Sequence, residues 1–144
     1  MSQYGFLDRT ENRTVGDVLR AKTEAGEIPP FVVVQTGHKV KDAVGLLHEH
    51  RVSQLPVVAS DDPDRVVGSV GERGLLKHAL EGPQLMTGAI ADVMEPAFPS
   101  VATTDPVREA VELLTGEGQA LIVTDRGRPV GIVTRTDLLE SLVS

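Results

Sequence analysis

The sequence predicts an α/β fold of two related halves, each a short three-stranded sheet with flanking helices, and three observations predict it. Segments of the first half recur in order in the second, amphipathic runs alternate with β-branched runs, and the apolar residues are mostly Val, Leu, Ile and Ala rather than aromatic. Val15-Gly16-Asp17-Val18-Leu19 matches Ile90-Ala91-Asp92-Val93-Met94, and Val40-Lys41-Asp42-Ala43-Val44 matches Val107-Arg108-Glu109-Ala110-Val111. Leu55-Pro56-Val57-Val58 pairs with Ala120-Leu121-Ile122-Val123, and Val67-Gly68-Ser69-Val70 with Val130-Gly131-Ile132-Val133. A half of about 60 residues is marginal alone, so the copies are expected to pack into one pseudo-twofold unit. Repeat 1 is expected at 14–81 and repeat 2 at 90–144, with an N-terminal linker at 1–13 and a connecting segment at 82–89.

Each copy reads as short helix, strand, longer helix, two strands and closing helix. Val40, Ala43, Val44 and Leu47 recur at i, i+3, i+4 and i+7, as do Val107, Ala110, Val111 and Leu114, which predicts an amphipathic helix in each copy. Asp105-Pro106 is expected to open the second of these, with aspartate as the cap and proline at the first helical position. The runs Phe31 to Val34, Val57-Val58, Val66-Val67, Ile122-Val123 and Val130 to Val133 predict buried strands. Asp61-Asp62-Pro63-Asp64 and Asp125-Arg126-Gly127-Arg128 stand between paired runs and predict hairpin turns.

Charge and composition narrow the function classes. A formal net charge of −7 repels a phosphate backbone, and 3% aromatic residues leave little with which to stack bases, so nucleic acid is not expected as a partner. No apolar run approaches the roughly 20 residues that span a bilayer, and Met1-Ser2-Gln3-Tyr4-Gly5 lacks a charged and apolar leader, so no membrane association and a cytoplasmic location are expected. The absence of cysteine removes disulfides, thiolate metal sites and cysteine nucleophiles.

The segment Val130-Gly131-Ile132-Val133-Thr134-Arg135-Thr136-Asp137-Leu138-Leu139 reads as a strand running into a helix. Thr134-x-x-Asp137 fits a capping box, in which hydroxyl and carboxylate satisfy backbone N–H groups of the first turn. The same pair fits a ligand site, because a carboxylate can accept both hydroxyls of a ribose. Gly68, Gly71 and Gly74 follow a strand but match no phosphate-loop spacing, which points to turn geometry and close packing. Arg73 and Arg135 stand at corresponding places and suit either a ligand anion or solvent. His48-Glu49-His50 has its histidines two apart, a spacing that turns them away from one another on a helix. With no nucleophile elbow and no set of metal ligands, the chain is not expected to be an enzyme, and neither a cofactor nor a metal is expected in it.

The paired pattern Gln54-Leu55-Pro56-Val57-Val58 with Gly68-Ser69-Val70, then Ala120 to Val123 with Gly131-Ile132-Val133-Thr134-Arg135-Thr136-Asp137, resembles a tandem CBS-domain (Bateman) pair over nearly the whole chain. The resemblance implies a regulatory module, homodimeric through its CBS domains, with adenosyl-ligand clefts between the repeats. By position, Thr134 and Asp137 would hold the ribose, while Ile132, Val133 and Thr136 would line the cleft. Val52, Gln54 and Leu55 would face the ligand from the other copy, and backbone from Phe98 to Val101 would contact the base. Gly71-Glu72-Arg73-Gly74 replaces Thr134 to Asp137 in the first copy, so one site per chain is expected.

Tyr4-Gly5-Phe6-Leu7, Arg13 to Leu19, Val52 to Val58 and Gly68 to Arg73 resemble the C-terminal regulatory region of bacterial, especially actinobacterial, cystathionine β-synthases. That resemblance implies S-adenosylmethionine as the ligand and a pyridoxal-phosphate-dependent catalytic domain as partner, with this chain starting where such a domain would end. AMP, ADP or ATP is the alternative ligand, and a ligand-free dimerisation module the alternative role.

Overall fold

The computed structural model describes residues 13–24, 31–116 and 120–143. Most of the segment read as a linker, including Tyr4 to Leu7, lies outside the described residues. The elements run α1 (Val15–Glu24), β1 (Val34–Gln35), α2 (Val40–His50), β2 (Gln54–Ala59), β3 (Asp62–Gly71), α3 (Glu72–Glu81), two short 3-10 turns (Pro83–Thr87 and Ile90–Asp92), β4 (Ser100–Ala102), α4 (Val107–Leu114), β5 (Ala120–Asp125), β6 (Arg128–Thr134) and α5 (Arg135–Val143). The predicted class and the predicted order in each half are both found, with two three-stranded sheets and flanking helices.

The chain folds as two compact units, Val32–Ala97 and Met1–Phe31 with Phe98–Ser144. In the first unit β1 runs parallel to β2, and β2 antiparallel to β3. Alternate residues Leu55 and Val57 of β2 join Val34, Val40, Ala43, Leu47, Val70 and Leu75 in its core, and Ile90 of the second 3-10 turn with Val93 just after it completes it. In the second unit β4 runs parallel to β5, and β5 antiparallel to β6. Its core joins Leu121, Val123, Val133 and Leu138 to Val101, Val107, Ala110 and Leu114, and α1 adds Val15, Val18 and Leu19.

Thus the short helix that opens each repeat packs in the unit built mainly from the other repeat. The same backbone bonds fix it in both places. Val15 N–H donates to Asp105 O at 2.8 Å and Gly16 N–H to Thr103 O at 2.9 Å, while Ile90 N–H donates to His38 O at 2.8 Å and Ala91 N–H to Thr36 O at 3.3 Å. Similarity divides the chain into repeats, and packing divides it into units that cut across them.

Some boundaries differ from the sequence expectation. Pro106 is the cap of α4 rather than its first residue, because the Asp105 carboxylate accepts the Ala102 N–H at 2.8 Å and closes the turn before the helix. The first hairpin turns at Ser60-Asp61, since Ala59 already pairs with Asp62. The second turns as expected, at Arg126-Gly127 between the paired Asp125 and Arg128, with φ of 54° and 80°. Positive φ at both central positions is the type I′ turn, and glycine supplies one of them without strain.

Candidate functional site

The site is built at the junction of β6 and α5. Ladder pairs Leu121↔Val133 and Ala120↔Thr134 bring β6 to its end, and strand alternation then sends Val133 into the core and Ile132 to the opposite face. At the junction the reciprocal cap forms. Thr134 N–H donates to Asp137 Oδ2 at 2.8 Å, and Asp137 N–H donates to Thr134 Oγ1 at 3.3 Å. The capping reading of this motif is found, and the cap is what fixes the carboxylate.

A third group meets it, and the motif does not disclose this group. Lys22 Nζ, in the last turn of α1, donates to Asp137 Oδ2 at 3.0 Å and to Ile132 O at 3.1 Å. Side-chain exposure is 6% for Lys22 and 11% for Asp137, so this ion pair is largely desolvated. One signal pointed to it. Val15, Val18, Leu19 and Lys22 stand at i, i+3, i+4 and i+7, so the lysine occupies a position on the apolar face of α1, where a cation needs a partner.

Thr14 and Asp17 form the same cap at the start of α1, with bonds of 3.0 and 3.2 Å. There the cation is Arg20 at 3.4 Å, and the side chains are 67% and 39% exposed. The Asp17 carboxyl is held below the usual range, first by the Thr14 N–H, with the Thr14 hydroxyl, Arg20 and Arg13 adding and desolvation opposing. One motif thus occurs in two settings, one solvated and one enclosed.

The other expected site residues separate by unit. Thr136 is exposed, Phe98 is half-buried, and Val101 and Val133 are core side chains of the unit that holds Asp137, so those two have only backbone to offer a ligand. Val52, Gln54 and Leu55 belong to the other unit, where Leu55 is in the core, Val52 packs against it, and half-buried Gln54 pairs with Gly71. Arg135 is structural. Its Nε donates to Leu114 O at 2.8 Å and its Nη2 to Gly116 O at 3.0 Å, which ties down the end of α4. Arg73 is exposed.

At the equivalent turn of the first unit, Gly71 and Gly74 stand in place of Thr134 and Asp137. A Cβ on Gly74 would lie 3.1 Å from Glu95 Oε1, so a carboxylate from another segment crowds the place where an aspartate side chain would begin. Glu95 is brought there by paired bonds, Ser69 N–H to Glu95 O at 2.9 Å and Glu95 N–H to Ser69 O at 2.8 Å. Gly68 admits this approach, since a Cβ there would lie 2.8 Å from Glu95 O. These glycines serve close packing, as their spacing suggested.

Each unit also has an apolar groove on its helix pair. Between α2 and α3 it measures about 380 Å³ and includes Val44, Leu75, Leu76 and Met86. Between α4 and α5 it measures about 360 Å³ and includes Val111, Leu114, Leu138 and Leu139. Among the described residues, no group of three His, Cys, Asp or Glu is placed to hold a metal ion, and no helix is long and apolar enough to cross a membrane.

A family model described as the CBS domain matches residues 25–81 and 90–144. An A-adding tRNA nucleotidyltransferase of Aquifex aeolicus is 35% identical over 115 residues, 79% of this chain. The chain spans 13% of that protein and 61% of a Methanopyrus kandleri relative of uncharacterised role. Among solved structures, the CBS domain of a bacterial CNNM/CorC-family Mg2+ transporter in complex with ATP superposes with a TM-score of 0.76 at 23% identity, covering 97% of this chain and 94% of that one. The protein CBSX2 in complex with AMP gives 0.69 at 28% identity, covering 90% and 96%.

Proposed function

This chain belongs to the CBS-domain family, with two copies of the domain, and on that premise we propose that it is a regulatory module that binds an adenine nucleotide at the Thr134–Asp137 junction. The observation that carries this reading is the Asp137 carboxylate, fixed by the Thr134 N–H at a strand-to-helix turn. A ribose diol donates two hydrogen bonds, and a carboxylate held in one geometry accepts them without losing side-chain entropy on binding. Ile132, buried at 9% exposure but outside the core cluster of its unit, would line the cleft, and Thr136 offers an exposed hydroxyl. ATP and AMP in the related CBS structures support the ligand class.

S-adenosylmethionine is the second reading, with transmission to a cystathionine β-synthase-type catalytic domain. It is favoured by the likeness of Val52 to Val58 and Gly68 to Arg73 to such enzymes. The charge argument for a sulfonium weakens at this site, because Lys22 already neutralises Asp137. Titration calorimetry with AMP, ADP, ATP and S-adenosylmethionine in parallel separates the readings. Binding of a nucleotide alone supports the first and binding of S-adenosylmethionine alone the second, whereas no heat from any of the four at millimolar concentration leaves the ligand-free dimerisation module.

In this reading a second copy of the chain covers the two apolar grooves. Val44 and Leu76 line one and Leu139 the other, all exposed, and Leu80, Leu113 and Val143 are exposed on the same helices. Both units present the same kind of face, which suits an interface made twice by self-complementary patches. Sedimentation velocity tests this, with a monomer at micromolar concentration as the contrary result.

A further inference from the structure

We propose that Lys22 is an intramolecular competitor for the ribose site, so that ligand entry at Asp137 releases the last turn of α1. The inference rests on the nucleotide reading above and adds its regulation. Asp137 Oδ2 already accepts the Thr134 N–H and the Lys22 ammonium. A ribose diol that spans both carboxylate oxygens places one hydroxyl on Oδ1 and the other on Oδ2, whose two lone pairs are taken by Thr134 and Lys22, so the second hydroxyl must displace Lys22 from a largely desolvated pair. The cap to Thr134 is covalently local and persists. The Lys22 bond joins residues 115 apart in sequence and is the one that can open.

The place of Lys22 makes this a relay. It lies one turn beyond Val18 and Leu19, which anchor α1 in the core, while Val15 and Gly16 are held by backbone bonds to Asp105 and Thr103. Opening the ion pair therefore frees the helix end without undocking its start. Lys22 Nζ also leaves Ile132 O, so β6 and α1 both register the ligand. In the paired state Oδ2 is closed to the second ribose hydroxyl, and the apparent affinity is lowered by the fraction of molecules so paired.

Removing the ammonium removes that competition. Lys22→Met and Lys22→Gln, titrated with AMP at pH 8, are expected to bind about fivefold or more tightly than the wild type, as for a protein whose competent state was a minor fraction. If the wild type binds AMP and both variants bind with equal or lower affinity, Lys22 is a support for the site and the proposal is overturned. If neither wild type nor variants bind, the nucleotide reading falls and this inference with it. Hydrogen exchange on the wild type gives a second test that does not depend on the variants folding. Saturating AMP is expected to reduce protection at Thr23 and Glu24 while Val15 to Leu19 stay protected, and increased protection at Thr23 and Glu24 would refute the release.

Discussion

The unit that holds Asp137 and the unit that holds Gly74 have the same strand order, and each borrows the helical segment that opens the other repeat, a ten-residue α-helix in one and a three-residue 3-10 turn in the other, docked by bonds between corresponding residues. They differ in charge at the first turn of the closing helix. In one, an aspartate meets a buried lysine; in the other, a glycine meets the carboxylate of Glu95. Backbone hydrogen bonds and aliphatic periodicity are enough to copy a fold, and they act at every residue of an element. A binding site depends on two or three side chains, so one copy can lack it with its core intact. The first unit lacks the threonine–aspartate cap with its core intact: Leu55, Val57 and Val70 fill the places of Leu121, Val123 and Val133, so the strand pairing moves the repeat match of Leu55 from Ala120 to Leu121.

The largest effect is expected from Asp137→Ala. It leaves the Lys22 ammonium buried without its counter-ion, and removing one partner of such a pair costs about 3 to 5 kcal/mol. A thermal melt should fall by roughly 10 °C at this chain length. AMP affinity should fall by about 10- to 150-fold, from the loss of bonds to a charged acceptor. Unchanged affinity in a protein that melts earlier would assign the residue to the cap alone. Gly74→Ala, at the corresponding place, is expected to move the melt by less than about 1 kcal/mol, because helix propensity favours it and the crowding atom is the free end of a side chain.

Charge can also test whether the grooves act alike. Leu76→Glu and Leu139→Glu each place a carboxylate on one groove, and if the grooves carry the proposed dimer the double variant is expected to sediment as a monomer at concentrations where the wild type sediments as a dimer. A double variant that stays dimeric would move the interface elsewhere. A gain-of-site experiment sharpens the comparison further. Gly71→Thr with Gly74→Asp should not create a second site, because the new carboxylate would face Glu95. Adding Glu95→Lys is expected to raise the calorimetric AMP stoichiometry from about one toward two.

The smallest effect belongs to Asp17, whose cap repeats that of Asp137 at an exposed place. Its folded carboxyl is shifted down, so it adds stability above the unfolded-state value near about pH 4 and loses that contribution as pH falls through the lower folded value. Asp17→Asn should cost less than about 1 kcal/mol at neutral pH, a cost that fades as acid protonates the carboxyl in the folded state, as judged from melts at falling pH. An effect as large as that of Asp137→Ala would contradict the view that burial of the cation separates the two motifs.

Much of the site was legible because its parts are local. Thr134 and Asp137 lie three residues apart, and a cap requires only the first turn of a helix. The helices were legible from side-chain spacing for the same reason. Asp105 was misread because either of two backbone turns could claim its carboxylate, and the one that closes behind it, at Ala102, did so. Glu95 gave no local sign, since the glycine it faces lies in another element.

Sequence alone determined the duplicated α/β elements, the aliphatic cores and the capped carboxylate, because each depends on residues within a few positions of one another. Tertiary structure decided which unit each short helix joins, and with it the partner of that carboxylate. Lys22 reaches Asp137 because the Val15, Val18 and Leu19 face of α1 is buried against the second sheet and its helices. Burial then turns an ordinary surface charge into one that must be paired, and no local pattern encodes that requirement.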